Sequence, residues 1–300
     1  MFNDKSVMEI IKRRYSCRNY QERPIDEAQQ QSIRDFLSAI QAGPFGNPLR
    51  FELAAARTVG MGTKADRGAL KGLGTYGTLR NVPGFIVGVV ATDDKNKANN
   101  RALEDYGYRL EETILYAKAM GLDTCWLGGF FTRSSFSRAV GVKSNELIPA
   151  VAAIGYAMSD PRTGDVIRMA AGSNRRFTWE TLFFQNDFSQ PISVQEAGVY
   201  AEPLEMVRLA PSASNKQPWR IIRQGNTWHF YLRRTPGYGG GLVSLFLSHA
   251  DLQQVDIGIA MCHFGLTAAE LGLKGTWEIK EPEITRTDDL TEYIATWMEA

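Results

Sequence analysis

The stretch from Gly107 to Trp126 reads GYRLEETILYAKAMGLDTCW and predicts a long helix followed by a strand. Leu110, Ile114 and Ala117 recur at spacings of four and three, which is typical of one apolar face of a helix. From Gly258 to Trp277 the chain reads GIAMCHFGLTAAELGLKGTW, which repeats several of the same residues at a constant offset of 151. The matched pairs are Gly107 and Gly258, Leu115 and Leu266, Ala117 and Ala268, Gly121 and Gly272, Leu122 and Leu273, and Trp126 and Trp277.

That offset is half of the 300-residue chain, which favours a unit that was duplicated and fused. Chance similarity between two long helices with alike apolar faces is the alternative interpretation. Upstream, Pro44, Asn47 and Pro48 loosely match Pro211, Asn215 and Pro218 at a larger offset, as expected if residues 57–83 are an insertion in the first half. We therefore predict two halves, 1–180 and 181–300.

Apolar periodicity and capping residues predict the remaining elements. In the first half we expect helices after Ser6 and after Asp26, over 103–120 and over 134–140, with strands over 49–55, 84–91, 124–127 and 149–156. In the second half we expect helices over 202–209 and 250–271, with strands over 219–223 and 227–232 and a strand over 275–279 that closes the series.

Composition excludes several classes of protein. With 34 Lys and Arg against 33 Asp and Glu the formal net charge is +1, and no long basic run is present, so we expect no nucleic-acid partner. The apolar runs are far shorter than the roughly 20 residues of a membrane-spanning helix, so we expect no membrane association. No signal peptide is readable, and three cysteines without a C-x-x-C pair indicate neither a disulfide framework nor a zinc site, so a cytoplasmic protein without a bound metal is expected.

Two polar segments are candidate binding sites. Arg14, Ser16 and Arg18 alternate after the first helix, and two guanidinium groups beside a hydroxyl suit a phosphate monoester, although a solvated basic face is the alternative. Residues 211–219, PSASNKQPW, place hydroxyls and amides between a helix and a strand, where they could reach the edges of a flat heterocycle. A plain loop that ends a helix would have a similar composition.

Taken together, these segments resemble the FMN-dependent nitroreductase family, and more closely its subgroup with two nitroreductase-like halves in one chain. The resemblance implies an α+β, nitroreductase-like fold with two pseudo-repeats, each a mostly antiparallel sheet flanked by helices, fused as an internal pseudo-dimer. In that family an Arg-x-Ser-x-Arg segment holds the FMN phosphate, a Pro-Ser-x-x-Asn-x-Gln-Pro-Trp loop contacts the isoalloxazine, and a Gly-Leu-x-Thr-x-Trp strand followed by glycines faces the flavin N5. A late basic pair closes on the phosphate, and the loop around Tyr76 is a further candidate contact. The implied cofactor contacts in this chain are Arg14, Tyr15, Ser16, Arg18, Tyr76, Gly128, Gly129, Arg175, Arg176, Pro211, Ser212, Ala213, Ser214, Asn215 and Gln217.

The two halves carry different parts of this pattern. The arginines and the N5 strand occur only in the first half, and the intact loop occurs only in the second, whereas the first-half loop 43–48 lacks the serines. Since flavins of the usual homodimer lie between subunits, the split implies one good site, one degenerate site and one FMN per chain. We expect a monomer that acts as an internal pseudo-dimer, with further dimerisation left open.

The activity implied by the resemblance is that of an FMN-dependent NAD(P)H oxidoreductase. A hydride would pass from NAD(P)H to N5, with the Gly129 backbone fixing N5, and then to a small-molecule oxidant such as a nitroaromatic or a quinone, in ping-pong order and without a catalytic side chain. Two alternatives stay open. One is a flavin-binding protein without turnover, and the other is a nicotinamide-only Rossmann dehydrogenase, which would require the G-x-G-x-x-G at 72–77 to bind phosphate although no strand is predicted before it.

Overall fold

The computed structural model describes residues 2, 5–58, 65–66, 68–93, 97–158, 175–238, 250–286 and 288–300. The helices are α1 Val7–Arg13, α2 Glu27–Ala39, α3 Asn100–Ala119, α4 Arg133–Ala139, α5 Trp179–Leu182, α6 Val194–Ala197, α7 Ala201–Leu209 and α8 Leu252–Glu270. The strands are β1 Leu49–Ala55, β2 Arg57–Thr58, β3 Ala65–Asp66, β4 Gly84–Ala91, β5 Asp123–Leu127, β6 Glu146–Leu147, β7 Val151–Gly155, β8 Phe183–Gln185, β9 Trp219–Gln224, β10 Thr227–Arg233, β11 Gly275–Glu278 and β12 Thr291–Glu299. Short 3-10 turns cover Gly68–Leu70, Gly198–Tyr200 and Ala213–Asn215.

The first sheet has the order β1-β4-β7-β5, with β6 paired to β4, and all its pairs are antiparallel. Its central strand β4 is buried at every position except Ala91, as the run of Val and Ile predicts for a strand covered on both faces. The predicted bounds of β1 and β4 are confirmed.

The second sheet has the order β11-β12-β10-β9-β8. Its strands β9, β10, β11 and β12 are antiparallel neighbours, and β8 adds a parallel edge strand beside β9. The prediction that the strand near Gly275 closes the series is wrong, because β12 follows it and lies between β10 and β11. A bulge opposite Phe230 and Tyr231 disturbs the alternation of buried and exposed side chains in this region, which weakens the period-two signal of the strand in the sequence.

The two sheets share the same connectivity when β6 and the edge strand β8 are set aside. Within each, two of the remaining strands precede a long helix and two follow it, and their order is first, second, fourth, third: β1-β4-β7-β5 and β9-β10-β12-β11. The long helices are α3 and α8, and both end in the same way. Gly121 and Gly272 have φ of +83° and +71°, and the next residues, Leu122 and Leu273, donate their N–H to the carbonyls of Ala117 and Ala268. The repeated Gly-Leu pair is therefore a helix C-cap.

Helices α3 and α8 cross at the two matched glycines. A Cβ built on Gly107 would lie 2.1 Å from the carbonyl oxygen of Val255, and one built on Gly258 would lie 2.0 Å from that of Glu104. Glu104 and Val255 are also 151 residues apart. Adding or subtracting this offset therefore converts the Gly107–Val255 contact into the Gly258–Glu104 contact. That reciprocity is the contact pattern of a two-fold interface, and only glycine permits so close an approach.

One large hydrophobic cluster runs through both sheets and both long helices, so the halves share a core. Helix α1 packs across the boundary, because Val7, Ile10 and Ile11 contact Leu115 of α3 and Met206 of α7. The predicted cap of α1 is confirmed, since the Ser6 hydroxyl accepts the Glu9 N–H. None of the described helices is both long and apolar enough to cross a membrane.

Candidate active site

The arginine-bearing segment 14–18 lies along the edge of β5. Arg14 caps the C-terminus of α1 in an extended conformation, and Ser16 then forms a parallel bridge with Thr124. Cys17 N–H donates to the Thr124 carbonyl at 2.8 Å. The structure thus brings the predicted phosphate segment beside the predicted N5 strand, while Ser16 and Arg18 stay partly exposed.

Two side chains of this segment are held by burial. Cys17 is 1% exposed, and burial raises the pKa of its thiol to about 11, which makes it an inert core residue. Tyr15 lies beside Asp123 with the Lys118 ammonium 5.2 Å from its ring centroid, and burial, then the Asp123 charge, raises the pKa of its hydroxyl. Neither group is suited to proton transfer at neutral pH.

Arg14 turns inward rather than toward solvent. Its side chain is 7% exposed, and its Nε lies 3.7 Å from Oε1 of Glu111, which is fully buried on α3. The same carboxylate accepts from Trp126 Nε1 at 2.7 Å and lies 3.0 Å from His263 Nε2. Neither Glu111 nor His263 was predicted from the sequence to lie at this site.

The loop 211–219 has a strained backbone. Ser214, Asn215 and Gln217 have φ of +51°, +55° and +47°, a region that is costly for residues other than glycine. Hydrogen bonds hold this conformation, since Gln217 N–H donates to the Ser212 hydroxyl at 2.9 Å and Gln217 Oε1 accepts the Phe177 N–H at 2.8 Å. Residues with strained backbones persist where surrounding contacts hold them in place, and they are found most often at functional sites.

The predicted basic pair meets this loop directly. Arg176 Nη1 donates to Asn215 Oδ1 at 3.1 Å, and Asn215 Nδ2 donates to the Arg175 carbonyl at 2.9 Å. Arg176 Nη2 also donates to the carbonyl of Leu209 at the end of α7, 3.2 Å away. Two segments that the sequence predicts for one site, 175–176 and 211–217, are therefore in contact.

Asp256 supports the loop from α8 and was not predicted. Its Oδ1 accepts the Ala213 N–H at 2.8 Å, and its side chain is nearly fully buried. Burial raises the pKa of Asp256 well above its usual range. The hydrogen bond from Ala213 N–H opposes this rise, and the charge of Asp251 adds to it. Oδ2 has no hydrogen-bond partner among the described residues. The repeat could have pointed to Asp256, because Asp105 stands 151 residues earlier. Asp105 accepts hydrogen bonds from the first-half loop, namely from Phe45 N–H, Asn47 N–H and the Asn47 amide.

Gly128 and Gly129 follow β5 at the boundary of the two halves. A Cβ on Gly128 would lie 2.5 Å from Leu252 at the start of α8, so this backbone approaches the second half closely. Gly129 N–H donates no hydrogen bond to a residue within the described ranges, which leaves it available to a ligand. The loop 72–77 reaches the same region, because Thr132 N–H donates to the Gly74 carbonyl at 3.0 Å and Tyr76 is 63% exposed.

Comparisons with known proteins agree with this fold. Residues 6–268 match the model of a family described as "Putative TM nitroreductase". The chain is similar to the crystal structure of a putative nitroreductase from Thermotoga maritima, at 18% identity and a TM-score of 0.58 over 98% of this chain and 94% of that one. It also matches a nitroreductase family protein from Clostridium difficile 630 (19% identity, TM-score 0.40, 55% of this chain and 91% of that one). A putative nitroreductase from Exiguobacterium sibiricum, solved in complex with FMN, matches at 16% identity and a TM-score of 0.40 over 52% of this chain and 90% of that one. No curated protein matches the chain.

The fold is thus α+β and nitroreductase-like, with antiparallel sheets flanked by helices. The chain belongs to the family described as "Putative TM nitroreductase", whose model covers most of its length.

Proposed function

We propose that the protein is an FMN-dependent NAD(P)H oxidoreductase that reduces a small oxidant such as a nitroaromatic or a quinone. The observation that carries the proposal is the contact between Arg175–Arg176 and the loop 211–217, made while the segment 14–18 lies along β5. Pieces that are distant in the sequence and that resemble flavin contacts are thereby brought together in two groups, 14–18 with β5 and 175–176 with 211–217.

The residues present fit FMN. Arg14, Arg18 and Arg176 supply guanidinium groups for a phosphate, and the uncommitted Gly129 N–H suits the N5 and O4 edge of the ring. Asn215 and Gln217 offer amides on a backbone held in an unusual conformation. Bound FMN would supply the two-electron chemistry, by accepting a hydride from NAD(P)H and giving one to the oxidant.

The protein's own contribution would be orientation and electrostatics. The buried Asp256 would fix Ala213 and with it the loop, and Arg14 and Lys216 would favour negative charge near the ring. No described side chain needs to act as nucleophile or general acid in this proposal.

We also propose that the chain acts as an internal pseudo-dimer of the halves 1–180 and 181–300. The common strand order, the shared C-caps and the reciprocal contacts at Gly107 and Gly258 support it. The Asp105 and Asp256 pair adds a further match, since each grips the loop of its own half. Only the second-half loop carries the serines, so one FMN would bind per chain.

Anaerobic reduction followed in the visible spectrum tests the activity. We expect the flavin-loaded protein to bleach on addition of NADH or NADPH and to recover its colour when a quinone or nitroaromatic is supplied. A loaded protein that stays oxidised with both donors would instead be a flavin-binding protein without turnover.

A further inference from the structure

We propose that Glu111 and His263 are positioning residues that hold Arg14 for the phosphate of FMN. This inference rests on the proposed function. It goes beyond it by assigning a role to two buried groups on the two long helices that no flavin contact requires.

The Glu111 carboxylate joins four elements. It lies on α3, it accepts from Trp126 Nε1 of β5 at 2.7 Å, and it is 3.7 Å from Arg14 Nε at the end of α1. Its Oε1 is 3.0 Å from Nε2 of His263 on α8. Both Glu111 and His263 are fully buried, so water does not satisfy or screen these groups.

Hydrogen bonds hold His263 against Glu111. Its Nδ1 lies 2.8 Å from the carbonyl oxygen of Met206, which only accepts, so Nδ1 donates. Its Nε2 lies 3.0 Å from Oε1 of Glu111. Burial opposes ionisation of Glu111, but the His263 hydrogen bond, the Arg14 charge and the Trp126 N–H together lower its pKa. The Glu111 carboxylate is thus held between the imidazole, the indole and Arg14.

Arg14 stands at the end of the predicted phosphate segment, and its Nε lies 3.7 Å from the buried Glu111 carboxylate. That carboxylate therefore fixes the position of a guanidinium group that suits a bound phosphate.

The other half of the molecule lacks this arrangement. The offset of 151 places Cys262 where Glu111 stands and Glu112 where His263 stands. Glu112 is instead paired within α3, with Arg109 Nη1 2.7 Å from its Oε2. The pair of Glu111 and His263 thus occurs on the side that holds the arginine segment, and its absence from the other side is a property of the residues rather than of the fold.

The test compares the affinities of the full-length protein, freed of flavin, for FMN and for riboflavin, by fluorescence titration. In Glu111→Gln a neutral amide of similar shape replaces the carboxylate that faces Arg14, so Arg14 stays in the chain but its ionic partner is lost. We expect the preference for FMN over riboflavin to fall by about tenfold, as for loss of a charge-assisted contact. The matched control, Glu112→Gln, should keep the wild-type preference.

An unchanged or increased preference in Glu111→Gln overturns this inference alone, whereas a wild type that binds neither flavin overturns the proposed function with it. If the affinities for riboflavin and for FMN fall by similar factors, Glu111 has only a structural role, and this result also contradicts the inference.

Discussion

Asp105 and Asp256 stand at equivalent places in the two long helices and hold their loops differently. Asp105 accepts from Phe45 and Asn47 with both of its oxygens, whereas Asp256 uses one oxygen for Ala213 N–H and buries the other without a partner among the described residues. At the scale of single residues, therefore, the first half, whose loop lacks the serines, has the better satisfied carboxyl. An unsatisfied buried oxygen is costly and persists where the site needs it.

The pair predicts opposite effects of one substitution. Both oxygens of Asp105 accept from N–H groups, so the amide nitrogen of Asp105→Asn would face a donor instead of accepting from it. We expect this to lower the free energy of unfolding by about 1–3 kcal/mol at pH 7. Asp256→Asn keeps an oxygen for Ala213 and removes a carboxyl that resists ionisation, so the free energy of unfolding should be unchanged or higher. Urea denaturation of both variants measures the difference, and equal destabilisation would contradict the assignment.

The raised pKa of Asp256 also predicts a pH dependence. Burial raises the pKa of this carboxyl in the folded state, so the folded protein binds a proton that the unfolded chain releases above about pH 4. The contribution of Asp256 to stability is then fully present below pH 4 and is lost as the pH rises toward the folded pKa. The stability difference between wild type and Asp256→Asn should shift in favour of the variant from pH 4 to pH 8, and a pH-independent difference would contradict it.

At the scale of elements, the sequence predicted those whose signal is local. Helices α3 and α8 and strands β1 and β4 follow from apolar spacing. In the structure Asn99 and Asp251 cap the starts of the two helices, and Gly121 and Gly272 follow their ends. The strands that it missed depend on partners. β8 has three residues and forms beside β9, and β12 is disturbed by a bulge and lies between β10 and β11.

The crossing of α3 and α8 predicts a position-specific effect of alanine. Gly107→Ala and Gly258→Ala place a methyl group about 2 Å from a backbone carbonyl of the other helix, and we expect each to cost about 3 kcal/mol or more. Gly265→Ala in α8 is the control, because its nearest atom is the Tyr108 hydroxyl at 3.0 Å, the end of a side chain. Alanine there gains helix propensity of about 1 kcal/mol, which offsets the contact. Similar denaturation midpoints for all three variants would argue against a tight crossing.

At the scale of the whole molecule, the offset of 151 residues corresponds to two sheets of one strand order around one crossing of helices. The contact of Arg176 with Asn215 joins segments that the sequence alone grouped by resemblance. What the sequence did not reveal are the buried supports of the site, Glu111, His263 and Asp256. Each is a buried polar residue of a long helix, and its role depends on which side chain the fold brings opposite.

If the two halves of one chain build one flavin site together, as we propose, each chain holds a single flavin. The purified protein is supplied with FMN, its mass in solution is measured by light scattering, and the released flavin is identified and counted. We expect one FMN per 33.4 kDa chain, whether or not chains pair further. Two FMN per chain would contradict the degenerate second site, and none after supply of FMN would contradict the flavin site itself.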